Sequence, residues 1–226
     1  MKAKLLQVIK QNFKADNPYL TSINNKTFLS LGLALFWSII FFVLTREVLE
    51  KETMSLDLAI SQYVYSIRTP YFDQFWTIIT DFGGKYMILL SLIITIILIA
   101  KKHCQKAIWF VIPIFVSFCA NIILKILVGR SRPTISQIIT ETDFSFPSGH
   151  SSGSMVFWTM LTCLCFGMTK NKLVRITSCV VASVIIIGVG FSRVYLGVHY
   201  PSDVVAGWIQ SLVILSIFCK ISHFES

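Results

Sequence analysis

The chain alternates long apolar stretches with short polar turns. Six stretches contain no Asp, Glu, Lys or Arg. A helix that rises about 1.5 Å per residue needs about 20 residues to cross a hydrocarbon core of about 30 Å, so these stretches predict membrane-spanning helices with short flanks. The six predicted spans are 27–44, 86–100, 107–124, 151–169, 176–192 and 204–219.

The placement of Lys and Arg predicts how the spans are oriented. With six spans and both ends on one side, that side carries twelve of the twenty basic residues. Because Lys and Arg concentrate in cytoplasmic segments, this side is predicted to be the cytoplasm. The twelve are Lys2, Lys4, Lys10, Lys14, Lys26, Lys101, Lys102, Lys106, Lys170, Lys172, Arg175 and Lys220.

Two segments outside the spans carry helical patterns of their own. Residues 1–26 are too polar for a cleaved signal and predict a cytoplasmic segment lying on the membrane surface. Residues 55–68 place apolar side chains near helical spacing, with Asp57 and Ser61 elsewhere around the wheel, which predicts an amphipathic helix at the outer face. That helix would either roof a lipid entrance or merely cover the bundle.

Composition agrees with a protein solvated mainly by lipid. Of its 226 residues, 54% are hydrophobic and 14% are charged, against about a quarter charged in soluble domains. The net charge of +9 suits anionic lipid head groups, and no basic stripe with interleaved aromatics indicates nucleic acid. The six cysteines lie in or beside the spans, so we expect neither a disulfide framework nor a Cys-x-x-Cys metal site.

These patterns predict the fold class. We expect an all-α polytopic membrane protein, with six transmembrane helices in a bundle and both termini in the cytoplasm. Residues 1–226 form one integral-membrane domain, because no linker, repeat or low-complexity tract interrupts them. The shortest span, 86–100, is expected to recruit residues 81–84, whose two glycines favour a hinge or close packing.

Three short polar runs lie in predicted loops or helix ends at the extracytoplasmic face. Each combines residue types that bind phosphate or transfer protons. The runs are Lys125-x6-Arg132-Pro133, Pro147-Ser148-Gly149-His150 and Ser192-Arg193-x5-His199-x3-Asp203.

The cations and the helix start supply a phosphate pocket. Arg132 can grip two phosphate oxygens while Lys125 adds a compact charge, and Arg193 would hold further oxygens. Ser148 and Gly149 precede a long apolar segment, where free backbone N–H groups and the helix dipole favour an anion.

The two histidines supply the chemistry. His150 can protonate a departing oxygen. Pro201 fits the first turn of a helix, and one turn brings Asp203 back toward His199. If Asp203 accepts the Nδ1 proton, Nε2 of His199 keeps its lone pair for attack on phosphorus.

Each run also has a purely structural interpretation. The first could contact lipid phosphates, and the other two could be helix caps. Taking each specified residue at about 5% usage, a four-residue pattern arises by chance about once in a thousand chains of this length and a three-residue pattern about once in forty. Because all three runs fall on one predicted face, we interpret them as one site.

The three runs resemble the signature of the type 2 phosphatidic acid phosphatase superfamily, and no signature position departs from it. The resemblance implies a metal-independent lipid phosphatase without a cofactor, which forms a phosphohistidine on His199. It implies that His150 is the general acid and that Asp203 supports His199. The phosphoryl oxygens would be held by Lys125, Arg132, Ser148, Gly149 and Arg193. Mg²⁺ would need carboxylates near the phosphate, and the motifs offer only Asp203.

The resemblance also limits the substrate and the location. Members act on phosphatidate, phosphatidylglycerophosphate or undecaprenyl diphosphate, and a lipid A phosphatase is an alternative. We expect a multi-pass protein of the cell membrane whose site faces the extracytoplasmic side. Its partners would be the lipid phosphate and membrane lipids, with no nucleic acid and no obligatory protein partner.

Other classes of membrane protein fit the sequence less well. A non-catalytic phospholipid-binding protein would not need both histidines beside an aspartate. Vanadium haloperoxidases share the signature but are soluble. A channel or transporter would place ionisable residues inside its spans, and the six predicted segments contain no Asp, Glu, Lys or Arg. Asn121 and Gln210 are their most polar residues, for which we expect hydrogen bonds between helices.

Overall fold

The computed structural model describes residues 18–218, and over this range every regular element is helical. A short 3-10 turn, Asp81–Gly83, separates the third and fourth α-helices. The α-helices are α1 (Pro18–Leu49), α2 (Met54–Ser66), α3 (Pro70–Thr80), α4 (Lys85–Ala100), α5 (Cys104–Val128), α6 (Gly149–Met168), α7 (Lys172–Tyr195) and α8 (Pro201–Phe218).

Within residues 18–218, six helical segments are long and apolar enough to cross a membrane, which confirms the predicted number of spans. Most extend a few residues past the charge-free stretches, so charged residues of the three motifs fall within their ends. The six segments are Thr27–Leu49, Pro70–Ala100, Cys104–Val128, Gly149–Met168, Lys172–Tyr195 and Pro201–Phe218.

The second span is longer than the sequence predicted. It begins at Pro70 rather than near residue 81, because α3 continues the apolar segment beyond the 3-10 turn. The charge-free stretch ends at Lys85, and Asp81 and Asp73 lie further toward the start of the span. Asp73 accepts a hydrogen bond from the Tyr195 hydroxyl at 2.8 Å. Pro70 and the Thr69 side chain, which accepts the Phe72 N–H, fix the start of α3.

Helices α6 and α8 form the centre of the bundle. About half of the residues in each are buried, far more than in the other spans. Helix α1 packs on α8, α5 and α7 pack on α6, α3 packs on α7, and α4 packs on α5. The main core joins Phe110 of α5, Phe157 and Met160 of α6 and Leu215 of α8.

Of the two predicted interhelical hydrogen bonds, that of Gln210 is confirmed, whereas Asn121 bonds to a loop residue just before α6. Gln210 of α8 donates to the Ser117 carbonyl of α5 at 3.1 Å. Asn121 of α5 donates to the Pro147 carbonyl, just before α6, at 3.1 Å. In the apolar interior these bonds satisfy polar groups and fix the relative positions of the helices.

The predicted amphipathic helix is present as α2, and its polar face points inward. Asp57, Ser61 and Val64 are buried, whereas Leu56 and Tyr63 are exposed. Helix α2 packs on α7 and α8. Its apolar face is therefore free to contact the membrane interface, while a carboxylate enters the protein.

Other sequence-based expectations fall partly or wholly outside the described range. The predicted surface segment 1–26 is described only from residue 18, where α1 begins. Among the cysteines of residues 18–218, Cys163 is disulfide-bonded, and Cys104, Cys119, Cys165 and Cys179 are free.

The close approach of α8 to the start of α6 yields a first prediction. A Cβ at Gly207 would lie 2.6 Å from the Ser148 carbonyl oxygen. This oxygen belongs to the backbone, so it cannot rotate out of the way as a side chain can. We expect Gly207→Ala to destabilise the protein by about 1–3 kcal/mol, measured by thermal unfolding in detergent. Gly32→Ala is the matched control, because a Cβ there meets nothing within 4 Å. Equal unfolding temperatures for the two variants would contradict this packing.

Candidate active site

The three motifs converge at one end of the bundle because each lies at a helix terminus. Lys125 and Arg193 lie in the last turns of α5 and α7. Gly129 ends α5 in the left-handed conformation, with φ 63°, and starts the loop that returns to α6. His199 lies just before α8, which begins at Pro201 as predicted.

The side chain of His199 is buried, and both ring nitrogens have polar neighbours. Its Nδ1 lies 3.5 Å from Asp203 Oδ2 and 3.5 Å from Ser145 Oγ, longer than a normal hydrogen bond. Its Nε2 lies 3.1 Å from Arg132 Nη1. Because a guanidinium only donates hydrogen bonds, Nε2 must present its lone pair, and the ring proton belongs on Nδ1. This is the tautomer that a nucleophilic Nε2 requires.

The same environment keeps His199 neutral. Burial, together with the positive charges of Arg193 and Arg132, lowers its pKa below the ordinary value near 6.5. The imidazole is therefore unprotonated at neutral pH.

Asp203 is fully buried, and both oxygens of its carboxylate accept hydrogen bonds. Its Oδ2 accepts the Tyr200 N–H at 2.9 Å and the Ser145 hydroxyl, and its Oδ1 accepts Arg130 Nη1 at 2.6 Å. The carboxylate is therefore fixed in position beside His199.

The three predicted phosphate-binding cations lie together, and each contacts a carboxylate of the loop between α5 and α6. Lys125 pairs with Asp143. Arg132 contacts Asp143 Oδ1 at 2.5 Å and Glu141 Oε2 at 2.7 Å. Arg193 pairs with Glu141 and donates to Thr80 Oγ1 at 2.9 Å.

Glu141 and Asp143 correct the expectation that Asp203 is the only carboxylate near the cations. Burial by itself raises the pKa of Glu141, but Arg193 and Arg132 outweigh it and lower that pKa to about 2. For Asp143, burial is likewise outweighed by Lys125 and Arg132, and the pKa is also about 2. Both side chains are therefore anions that occupy the positively charged site.

The second motif begins α6. Ser148 is the N-cap, and its buried hydroxyl accepts the Ser151 N–H at 3.4 Å and the Ser151 hydroxyl at 2.9 Å. The Ser148 hydroxyl therefore caps the helix. Gly149 and His150 line a cavity beside His199, and Ser148 does not. The predicted close packing of the 3-10 turn is confirmed, since a Cβ on Gly84 would lie 2.7 Å from His150 Nε2.

A cavity of about 500 Å³ connects this site to a groove between α4 and α5. Along α5 its wall runs from Lys125 to Val111, about 20 Å at 1.5 Å per residue. The charged groups lie at one end and apolar side chains line the remainder. The α4 and α5 residues of the apolar part include Met87, Ile88, Val111, Ile114, Phe115, Phe118 and Ile122.

Arg130, Glu141 and Asp143 belong to none of the three runs, and Asp57 was placed only on the amphipathic helix, so the sequence predicted no role in the site for any of them. Nothing in their spacing indicates a contact, because they approach the site from a loop and from α2. The available signal was chemical: buried cations need counter-ions, and the loop at 129–148 carries two carboxylates.

Comparison with known proteins agrees with this geometry. Residues 85–225 match the family model described as the PAP2 superfamily. The chain is 32% identical over 183 residues to phosphatidylglycerophosphatase B of Bacillus subtilis, covering 77% of this chain and 87% of the relative. It is 29% identical over 174 residues to lipid A 4'-phosphatase of Bacteroides thetaiotaomicron, covering 68% and 71% respectively.

A solved structure has the same fold. The crystal structure of a transmembrane PAP2-type phosphatidylglycerolphosphate phosphatase from Bacillus subtilis superposes with a TM-score of 0.75 at 28% identity. The match covers 80% of this chain and 92% of that one. Family match, relatives and fold agree, and this chain belongs to the PAP2 superfamily as a membrane lipid phosphatase.

Proposed function

We propose that the protein removes a terminal phosphate from a membrane lipid through a phosphohistidine on His199. The observation that carries this proposal is the orientation of the imidazole. Nδ1 faces a fixed carboxylate, and the lone pair of Nε2 faces the Arg132 guanidinium at 3.1 Å, among cations that suit a phosphoryl group.

In the first step, Nε2 attacks phosphorus and the bond from phosphorus to the lipid oxygen breaks. The bonding electrons remain on that oxygen, which takes a proton from His150. The ring of His199 gains positive charge while Nδ1 keeps its proton, and Asp203 stabilises that charge. Lys125, Arg132 and Arg193 balance the charge on the phosphoryl oxygens.

In the second step, water attacks the phosphohistidine. Its proton passes to His150, the bond from phosphorus to nitrogen breaks, and inorganic phosphate leaves. His199 recovers its lone pair, so the enzyme returns to its starting state.

The cavity supports a substrate with a charged head and an apolar tail. The charged end of the groove would hold the phosphate, and the apolar groove between α4 and α5 would hold the apolar tail of the lipid. The distribution of Lys and Arg supports a site on the extracytoplasmic side. Phosphatidylglycerophosphate is the first substrate to test, because the relative from Bacillus subtilis is named for that activity. Undecaprenyl diphosphate and phosphatidate carry the same combination of groups.

Lipid A is a second candidate substrate. The relative from Bacteroides thetaiotaomicron is a lipid A 4'-phosphatase. The same site chemistry serves either lipid, so relative turnover on a panel of the four lipids distinguishes the candidates.

The histidine roles predict different effects of substitution. His199→Ala should lower phosphate release by at least about a thousandfold, because the nucleophile is lost. His150→Ala should lower it about 10²- to 10⁴-fold with lipid substrates, but much less with 4-nitrophenyl phosphate, whose leaving group needs no proton. His103→Ala, at the opposite end of α5, is the control. A His199→Ala variant that still turns over would contradict the mechanism.

The metal-independent mechanism is tested directly with a chelator. We expect phosphate release by the purified protein to persist in excess EDTA, because the proposed chemistry uses only side chains of this chain. Complete loss of activity that Mg²⁺ restores would show that a metal takes part.

The loop carboxylates yield a prediction about anion binding. Phosphate must displace Glu141 and Asp143, and both remain charged above pH 4 because their pKa values are about 2. Glu141→Gln should therefore lower the inhibition constant of orthovanadate about tenfold, equivalent to about 1.4 kcal/mol. The control is Glu52→Gln, which removes one exposed charge near the same end of the bundle. Unchanged or weaker vanadate inhibition in Glu141→Gln would exclude this competition.

A further inference from the structure

A buried chain of ion pairs leads from α2 to the carboxylate beside His199. Arg130 Nη2 contacts Asp57 Oδ2 at 2.7 Å, and Arg130 Nη1 contacts Asp203 Oδ1 at 2.6 Å. The exposed fractions of the three side chains are 3% for Asp57, 8% for Arg130 and 0% for Asp203. One guanidinium therefore bridges two carboxylates away from solvent.

Arg130 and Asp57 are fixed by further contacts. Asp57 accepts the Ser202 N–H at 2.9 Å and the Ser202 hydroxyl at 2.6 Å. The Arg130 guanidinium lies 4.3 Å from the centre of the Tyr200 ring. Tyr200 and Ser202 lie between His199 and Asp203 in sequence, so the partners of the ion pairs and the proposed nucleophile share one short segment.

The charges of Asp57, Arg130 and Asp203 do not cancel. Two carboxylates and one guanidinium leave one net negative charge, which is costly to bury unless a positive charge develops beside it. Burial opposes the charge of Arg130, but Asp203 and Asp57 outweigh it and raise its pKa, so Arg130 stays charged. A positive charge can develop beside these residues on His199, whose Nδ1 lies 3.5 Å from Asp203 Oδ2.

We propose that Arg130 and Asp57 are positioning residues for phosphoryl transfer. Arg130 fixes the orientation of Asp203, and Asp57 fixes Arg130 and offsets its charge. Without Asp57, Arg130 would neutralise Asp203 and weaken its support of the positively charged His199 ring. The inference rests on the proposed role of His199 as the nucleophile.

The position of α2 explains why a residue so far away in sequence is needed. Helix α2 contributes none of the residues that line the cavity beside His199. It packs on α7 and α8 with Asp57 pointing inward. Its contribution to the site is the carboxylate that it inserts behind Asp203.

The variant Asp57→Asn tests the negative charge of Asp57 separately from the hydrogen bonds by which Asp57 anchors α2. An asparagine keeps a carbonyl oxygen that can accept from Ser202, but it loses the negative charge. We expect kcat to fall about ten- to a hundredfold while KM changes less than about threefold, because the substrate does not contact Asp57. The rate of phosphohistidine formation, measured by rapid quench, should fall in parallel.

The pH profile supplies a readout that a loss of packing would not move. The charged groups around His199 are Asp203 from α8, Arg193 from α7, Lys125 from α5, and Arg132 and Glu141 from the loop. Removing the negative charge of Asp57 makes protonation of His199 less favourable, so its pKa falls further. The acid limb of the profile of kcat/KM should therefore move down by about 0.5–1 pH unit.

Ser61→Ala is the matched control, because Ser61 lies one turn later on the same buried face of α2. Its unfolding temperature can change, but its acid limb should stay in place. Arg130→Lys keeps the charge and loses the two-armed bridge, so its kcat should fall as well. If Asp57→Asn yields too little folded protein, Arg130→Lys is the variant that tests the proposal.

Two results would overturn the inference. One is a wild-type kcat and an unshifted acid limb in Asp57→Asn. Where that variant does not fold, a wild-type kcat in Arg130→Lys overturns the inference. The other is a loss of kcat in Ser61→Ala equal to that in Asp57→Asn. Either result leaves the proposed function intact if His199→Ala is inactive, whereas an active His199→Ala variant rejects the proposed function itself.

Discussion

The structure depends on the pairing of charges that a membrane bundle buries at one end. A guanidinium or carboxylate taken out of water without a partner costs several kcal/mol, and the apolar helices leave little water to serve as one. Arg193 is fully buried, Arg132 is nearly so, and each contacts Glu141. The loop between α5 and α6 is therefore held onto the bundle by the same cations that suit a phosphate.

The pairing explains why the catalytic groups lie at helix termini. A helix that crosses lipid satisfies its own backbone groups, so charged side chains are best placed where the helix ends. Lys125, Arg193 and Asp203 lie in terminal turns, and His150 lies in the first turn of α6. Central packing of α6 on α8 then fixes the two histidines relative to each other.

The features that could be predicted from the sequence are local ones. Gly129 ends α5 and Pro201 begins α8 because backbone conformation depends on the residue itself and its neighbours. The four-residue spacing of His199 and Asp203 fixed their contact through one turn of chain. The contacts of Asp57 and Glu141 depend instead on how α2 and the loop pack, which no spacing encodes. The start of the second span was missed because the charge-free stretch ends at Lys85, and the contact between Asp73 and the Tyr195 hydroxyl forms only in the folded protein.

The charges in the site suggest how it can exchange a protein anion for a substrate. Glu141 and Asp143 together carry two negative charges on the three cations, and a phosphate monoester dianion also carries two. Exchange of one for the other leaves the local charge unchanged, so the cations never remain buried and unpaired. The carboxylates lie on a loop between two helices, where they can move without disturbing α6 or α8. Asp203 lies within α8 and is held by Arg130 and the Tyr200 N–H as well as by Ser145 of the loop, so only the Glu141 and Asp143 side chains need to leave the cations while Asp203 stays beside His199.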